Sequence, residues 1–211
     1  MYETSKSVFA KLKDNRYVTR YLVGEGIDIG SGSDSLAQYA EFFPLMTSVR
    51  SWDLPDGDAQ YMQGIPDNHY DFVHSSHCLE HMHDPKVALD NWIRIVKPNG
   101  HLVLIVPDED LYEHGKFPSA HNSDHKATFT IFKKISTSSH SINLIDLFKD
   151  ISGDVQILKM ELCDGTYRYK QDKLWGKQAL IDQTTTPIGE CSIEIVLKKI
   201  DYSALNGGSN P

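Results

Sequence analysis

The sequence predicts an α/β fold, a mostly parallel sheet with helices on both faces. Three observations predict it. Along the first half of the 211-residue chain, short apolar runs of strand length are separated by turn signals and amphipathic stretches. One run, ending in Ile27 and Ile29, leads into Gly30-Ser31-Gly32, a glycine turn followed by the helix-capping residues Ser33, Asp34 and Ser35. The next run closes at Asp53, 25 residues after Asp28, close to the ~20-residue interval at which an acid meets ribose hydroxyls in nucleotide-binding sheets. A strand, a glycine turn and a helix start form a nucleotide-cofactor site at the carboxyl edge of such a sheet.

Composition sets the bounds. The chain is 40% hydrophobic and 24% charged, ordinary for a globular protein, and its length suits a single domain, 1–211. No apolar run approaches the ~18 residues of a transmembrane helix. The opening Met1-Tyr2-Glu3-Thr4-Ser5-Lys6 has no apolar signal segment. Cys78, Cys163 and Cys191 lack paired metal spacing and read as reduced thiols, so a cytoplasmic protein is expected. A net charge of −8 and a pI near 5.6 repel a phosphate backbone on average. Neither nucleic acid nor a membrane is expected as a partner.

In chain order, residues 1–23 read as a leading helix, with Val8, Phe9, Leu12, Tyr17, Val18, Tyr21 and Leu22 near helical spacing. Strand one spans about 24–29, and a short helix over 34–42 stops before Pro44. Val49 to Trp52 form strand two. Residues 54–70 hold no helix, because Pro55, Gly57, Gly64 and Pro66 break every candidate. Tyr70 to His74 is a buried strand, and Ser75, Ser76 and His77 emerge from its carboxyl end. Asp84 caps and Pro85 opens an amphipathic helix that Lys97-Pro98-Asn99-Gly100 ends. His101 to Val106 is an apolar strand, which completes a cofactor-binding core over 24–110. Thr128 to Lys134 reads as an extra strand, His140 to Ile151 as a helix, and Asp154 to Leu162 and Cys191 to Ile200 as terminal strands. The stretches 111–153 and 163–190 are then substrate or lid insertions, or the contact of a homodimer. The second spans 28 residues, carries Trp175 and Pro187, and is long for a hairpin loop. The tail 204–211 is expected to be flexible.

The third glycine of the dinucleotide fingerprint G-x-G-x-x-G is Ser35 here, which disfavours a nicotinamide oxidoreductase. Asp28-Ile29-Gly30-Ser31-Gly32 instead resembles motif I, (D/E)-x-G-x-G-x-G, of the class I S-adenosylmethionine (SAM) methyltransferases, with Asp34 in place of the last glycine. Asp58-Ala59 resembles that family's Asp-Ala pair. Cys78-Leu79-Glu80-His81-Met82-His83-Asp84-Pro85 resembles its S-x-x-x-L-E-H-x-x-D-P signature, and Arg94 to Pro107 resembles its R-V-L-K-P-G-G-x-L-x-x-x-V-P run. The resemblance covers about residues 24–110 and points to type 11-like, small-molecule members. It implies a Rossmann-like, seven-stranded, mostly parallel sheet with an antiparallel C-terminal hairpin. The implied cofactor is SAM, and its product is S-adenosylhomocysteine. Gly30, Ser31 and Gly32 would approach the amino-acid part, with Asp28 near its amino group. Asp53, beside Leu54, would meet the ribose, and Asp58 and Ala59 the adenine. Ser75, Ser76 and His77 would lie at the methionine end.

Methyl transfer from a sulfonium is an in-line displacement, so the protein mainly positions the acceptor. An oxygen or nitrogen acceptor also calls for a base, and histidine titrates in the right range. Place in the fold nominates His77, Asp108, His121 and His125 as catalytic, with Glu109 and Tyr112 behind them. The ten histidines also raise a metal, since His77, Glu80, His81 and His83 cluster and His114, His121 and His125 follow the last core strand. Leu79-Glu80-His81 belongs to the family signature, which requires none, so no metal is expected. The expected function is methyl transfer to an oxygen or nitrogen of a small hydrophilic acceptor: a sugar, a sugar nucleotide or a natural-product intermediate. The His- and Asp-rich stretch after Pro107 motivates the hydrophilic choice. A non-catalytic subunit that binds SAM or S-adenosylhomocysteine, and a His/carboxylate metal enzyme, stay open as alternatives.

Overall fold

Alternation along the strands sorts the core onto the two faces of one sheet. The computed structural model describes residues 3–174, 181–185 and 190–202. Its strands are β1 (Gly24–Ile29), β2 (Met46–Trp52), β3 (Tyr70–Ser76), β4 (Val96–Pro107), β5 (Thr128–Thr130), β6 (Ser141–Asn143), β7 (Val155–Cys163) and β8 (Ser192–Lys199). Six of them form the main sheet in the order β2-β1-β3-β4-β8-β7. The first four run parallel, and β8 is antiparallel to both β4 and β7, which gives the C-terminal hairpin. The helices are α1 (Glu3–Lys13), α2 (Pro85–Ile95), α3 (Leu144–Asp150) and the single turn α4 (Tyr169–Asp172). Among the described residues no helix is long and apolar enough to cross a membrane.

On one face Ile27, Ile29, Val73, Leu102, Leu104 and Ile195 pack with Leu89, Trp92 and Ile93 of α2. Their neighbours Phe72, Val103 and Val196 point the other way and pack with Tyr17, Tyr21, Leu36 and Phe43. That second cover consists of short pieces: a π-helical turn, Tyr17–Tyr21, and a 3-10 segment, Leu36–Phe42. The single leading helix expected over 1–23 is therefore broken. Asp14 takes both the backbone N–H and the guanidinium of Arg16, a local side-chain bond that competes with helix continuation.

Seven strands were expected, and among the described residues the main sheet has six. Between Asp53 and Tyr70 the chain makes a 3-10 turn, Leu54–Asp56, and further turns with Met62, Gly64 and Asn68 at positive φ. Pro55 and Pro66 in the same stretch leave no run long enough for a helix and another strand. The extra strand expected over 128–134 ends at Thr130 and pairs with β6 in a separate two-stranded sheet. The helix expected from His140 starts only at Leu144, because Ser141–Asn143 are that partner strand. Trp175, Pro187 and the tail 204–211 lie outside the described residues.

Helix α1 is fixed at both ends. Near its start, Ser5 donates its N–H and its hydroxyl to the Asp34 carboxylate. Near its end, the fully buried ammonium of Lys11 lies 2.8 Å from Glu194 on β8. Glu194 also pairs with Lys159 at 2.7 Å and accepts a hydrogen bond from the Tyr17 hydroxyl.

Candidate active site

β1 and β3 are neighbours with Ile29 beside Ser75, while β2 leaves on the other side of β1. Strand order reverses here, and open α/β sheets bind ligands in the crevice at such a point. Gly30 and Gly32 follow β1 with φ of +72° and +51°, a left-handed backbone that glycine adopts freely. The two differ in surroundings. A Cβ on Gly30 would sit 2.5 Å from the Cys78 sulfur, whereas a Cβ on Gly32 would find only Asp53 Oδ2, at 4.0 Å. Gly30 is thus packed into the protein, and Gly32 faces open space.

Beside the loop lies a cleft of about 950 Å³ whose lining includes Gly30, Asp53, Leu54, Asp58, Ala59 and Tyr61. Asp53 caps the 3-10 turn by accepting the Leu54 N–H at 2.8 Å. Asp58 folds its own turn by accepting the Gln60 N–H at 2.8 Å, and the Trp92 indole donates to the Ala59 carbonyl at 2.8 Å. A smaller pocket of about 280 Å³ adjoins the cleft, and the two share Gly30, His77 and His81. Its other lining is polar and includes the loop residues Ser31, Gly32 and Asp34 together with Glu3, Ser76, Glu80, Asn122 and His125.

The expected residues divide. Gly30, Ser31, Gly32, Asp53, Leu54, Asp58, Ala59, Ser76 and His77 line the cleft or the pocket. Asp28 touches the pocket, but its buried carboxylate is taken: one oxygen accepts the Leu36 N–H at 2.7 Å and the other meets His74 Nδ1 at 2.6 Å. Ser75 is fully buried and donates its hydroxyl to the Ile29 carbonyl at 3.0 Å, which ties β3 to β1. Both hold the edge together from behind.

Three of the four nominated catalytic residues come together. His77, His121 and His125 surround the Tyr112 ring at centroid distances of 5.8, 5.6 and 5.6 Å. Asp108 does not join them. Its carboxylate accepts the N–H groups of Asp110 and Leu111, both at 2.9 Å, and burial raises its pKa. Glu109 is also committed, to Thr128, Lys133 and Ser136. His77 has a left-handed backbone, φ +53°, and neither ring nitrogen makes a hydrogen bond. Glu3 and Glu80 each stand 3.6 Å away. Burial pushes the His77 imidazole down to about 3. Burial likewise holds the Glu80 carboxyl well above the usual range, with Glu113 and Glu3 adding to the rise. Although no metal was expected, Glu80, His81 and His125 offer ligand atoms within 4.8 Å of one another.

A family model described as a methyltransferase domain matches residues 7–136. The chain belongs to the class I SAM-dependent methyltransferases. Solved structures share the fold at low identity. A SAM-dependent methyltransferase from Archaeoglobus fulgidus is 18% identical over 90% of this chain and 93% of that chain, with a TM-score of 0.53. One from Mesorhizobium loti is 12% identical over 92% and 98%, at 0.54. The [4+2]-cyclase SpnF is 14% identical over 91% and 80%, at 0.51. No curated protein matches the chain in sequence.

SAM, the cofactor of this methyltransferase family, suits the larger cleft on two local observations. Gly32, in the adjoining pocket, leaves the loop backbone open to approach, and two carboxylates, Asp53 and Asp58, line the cleft to receive hydroxyl and amino donors. The departure from motif I also finds its reason: Asp34, where the family has glycine, is the residue that tethers α1 through Ser5. Sequence reasoning missed Glu3 and Glu113. Glu113 carries His125 Nδ1 at 2.5 Å, yet a lone acid in a turn-rich stretch gives no signal of such a partner.

Proposed function

We propose that this methyltransferase transfers the SAM methyl group to an oxygen or nitrogen of a small hydrophilic acceptor, such as a sugar, a sugar nucleotide or a natural-product intermediate. The observation that carries the reading is the junction at His77, a residue shared by the large cleft and the small polar pocket. The pocket, about 280 Å³, is lined by Ser31 and Gly32 of the loop that takes the cofactor's amino-acid end and by Glu3, Ser76, Asn122 and His125, which favour an acceptor rich in hydroxyl or amino groups.

Bound SAM supplies a methyl group already activated by its sulfonium. The residues of the chain then bind and orient. The Gly30-Ser31-Gly32 backbone holds the amino-acid end, with Ser76 and His77 beside it. Asp53 accepts from the ribose hydroxyls. Asp58 accepts from the adenine amino group, with Leu54 and Ala59 against the ring. Asp28 and Ser75 keep the loop and strand in place behind these contacts. The neutral His77 ring, with neither nitrogen engaged elsewhere, has one nitrogen to accept from the acceptor's O–H or N–H. The segment 111–153 contributes Asn122 and His125 to the pocket lining, with the Tyr112 ring packed against His125 and His121.

An acceptor screen with isotopically labelled SAM tests this. Turnover of sugars, sugar nucleotides or other polar small molecules is expected, with His77→Ala reducing kcat for the acceptor more than it weakens SAM binding. Turnover confined to quinones or lipids would overturn the hydrophilic assignment. SAM binding without turnover of any acceptor would favour the non-catalytic subunit.

A further inference from the structure

We infer that Glu80, His81 and His125 form a binding site for a first-row transition-metal dication such as Zn²⁺ or Fe²⁺, open toward the acceptor pocket. The inference deepens the acceptor-pocket reading and rests on it for the role of the ion. Three observations carry it. First, Glu80 is fully buried and neither carboxylate oxygen makes a hydrogen bond, so the group lacks the partner that burial demands. Second, the ligand atoms of Glu80, His81 and His125 already lie within 4.8 Å of one another. Third, both imidazoles are held from behind by carboxylates: His125 Nδ1 by Glu113 at 2.5 Å and His81 Nδ1 by Asp124 at 2.8 Å. Such outer carboxylates fix the tautomer and orientation of ligating histidines. With Nδ1 taken, His125 Nε2 stands 3.9 Å from Glu80 Oε1.

Two imidazoles and one carboxylate suit zinc or iron, whereas calcium and magnesium take oxygen ligands. Ligands at ~2.1 Å around a tetrahedral ion sit roughly 3.4 Å apart, so the three must close by about 1.5 Å at most. His81, on the 3-10 turn Leu79–His81 with its side chain 26% exposed, has room to make that movement. Three protein ligands leave at least one coordination position vacant. All three residues line the polar pocket, so a vacant position opens onto the acceptor side, where it holds an acceptor oxygen.

The test uses the full chain without an affinity tag, stripped with a chelator, exposed to Zn²⁺ and gel-filtered. About one zinc per chain is expected, together with a rise in Tm, since the ion binds the folded state. Glu80→Gln and His125→Gln should each lower zinc affinity at least 100-fold and abolish the rise. Glu113→Gln should weaken binding roughly 10–100-fold through the His125 ring. His69→Ala, a histidine outside the site, should bind as wild type does. If the variants fail to fold, Co²⁺ in the wild-type chain still decides: a visible band should saturate at one equivalent and be displaced by Zn²⁺. Wild type retaining no zinc and showing no cobalt band, or Glu80→Gln and His125→Gln retaining zinc as wild type does, would overturn the site. SAM titration of the stripped protein separates the two readings. SAM binding without metal retention defeats only the metal site, and metal retention without SAM binding defeats only the cofactor assignment.

Discussion

Replacing Glu194 tests how α1 is held over the glycine loop. Its side chain is 5% exposed and lies 2.8 Å from Lys11 and 2.7 Å from Lys159. Burial alone would raise its pKa, yet the two ammonium groups hold it at about 2 instead of the ordinary 4.5. A carboxylate with a lowered folded pKa stabilises the protein fully above its unfolded pKa. That contribution, about 3 kcal/mol for this shift, is lost as pH falls from about 4.5 toward 2. Glu194→Gln keeps the shape, removes the charge and leaves Lys11 fully buried without its counter-ion. Breaking a buried pair in this way costs roughly 3–5 kcal/mol, or a Tm fall of about 6–20 °C for a domain of this size. Urea unfolding of both proteins from neutral pH down to about pH 2.5 is the assay. The difference between them should be largest near neutrality and shrink by about 3 kcal/mol toward the acid end. A variant within 1 kcal/mol of wild type, or a difference flat with pH, would refute the reasoning.

The two loop glycines should separate packing from function. Gly30→Ala meets Cys78 and a left-handed backbone together, so its stability should fall by about 2–5 kcal/mol. Gly32→Ala carries only the backbone strain of about 1–2 kcal/mol; it should fold, and it should lose SAM affinity as its methyl enters the pocket where the loop approaches the amino-acid end. Trp92→Phe keeps the ring in the core but releases the Ala59 carbonyl, so we expect a stability loss of about 1–2 kcal/mol and weaker SAM binding in calorimetry. Asp28→Ala should lower Tm and SAM affinity together, because its carboxylate holds the Leu36 N–H and His74 rather than the cleft.

Much of the cofactor edge was legible because local chemistry dictates it. The strand before Gly30, the glycine turn, the Asp84 cap with Pro85 behind it and the apolar run of β4 are each specified by neighbouring residues, and each forms. Elements set by distant partners were not legible. β6 exists because Ser141–Asn143 find β5, and β5 stops after three residues for the same reason. The break after α1 turns on Asp14 capturing Arg16, which helical periodicity does not register. In the site, His77 was readable from its motif, and the convergence of His121 and His125 on Tyr112 followed their place after β4. Asp108 reads as a base from its position at a strand end, while its Oδ1 accepts two backbone N–H groups that no local pattern announces. The pairing of Glu113 with His125 joins residues in an irregular stretch where no periodicity points at a partner.

The central claim is that the cleft beside Gly30 is the SAM site, with Asp53 and Asp58 reading the nucleoside. Calorimetric titration of the purified protein with SAM, repeated on Asp53→Ala and Asp58→Ala, tests it most directly. The account predicts binding at one site per chain, weakened at least tenfold in each variant, or about 1.4 kcal/mol, while both keep the wild-type far-UV spectrum. Wild-type binding that neither variant changes would contradict the assignment, and so would a folded wild-type chain that binds no SAM.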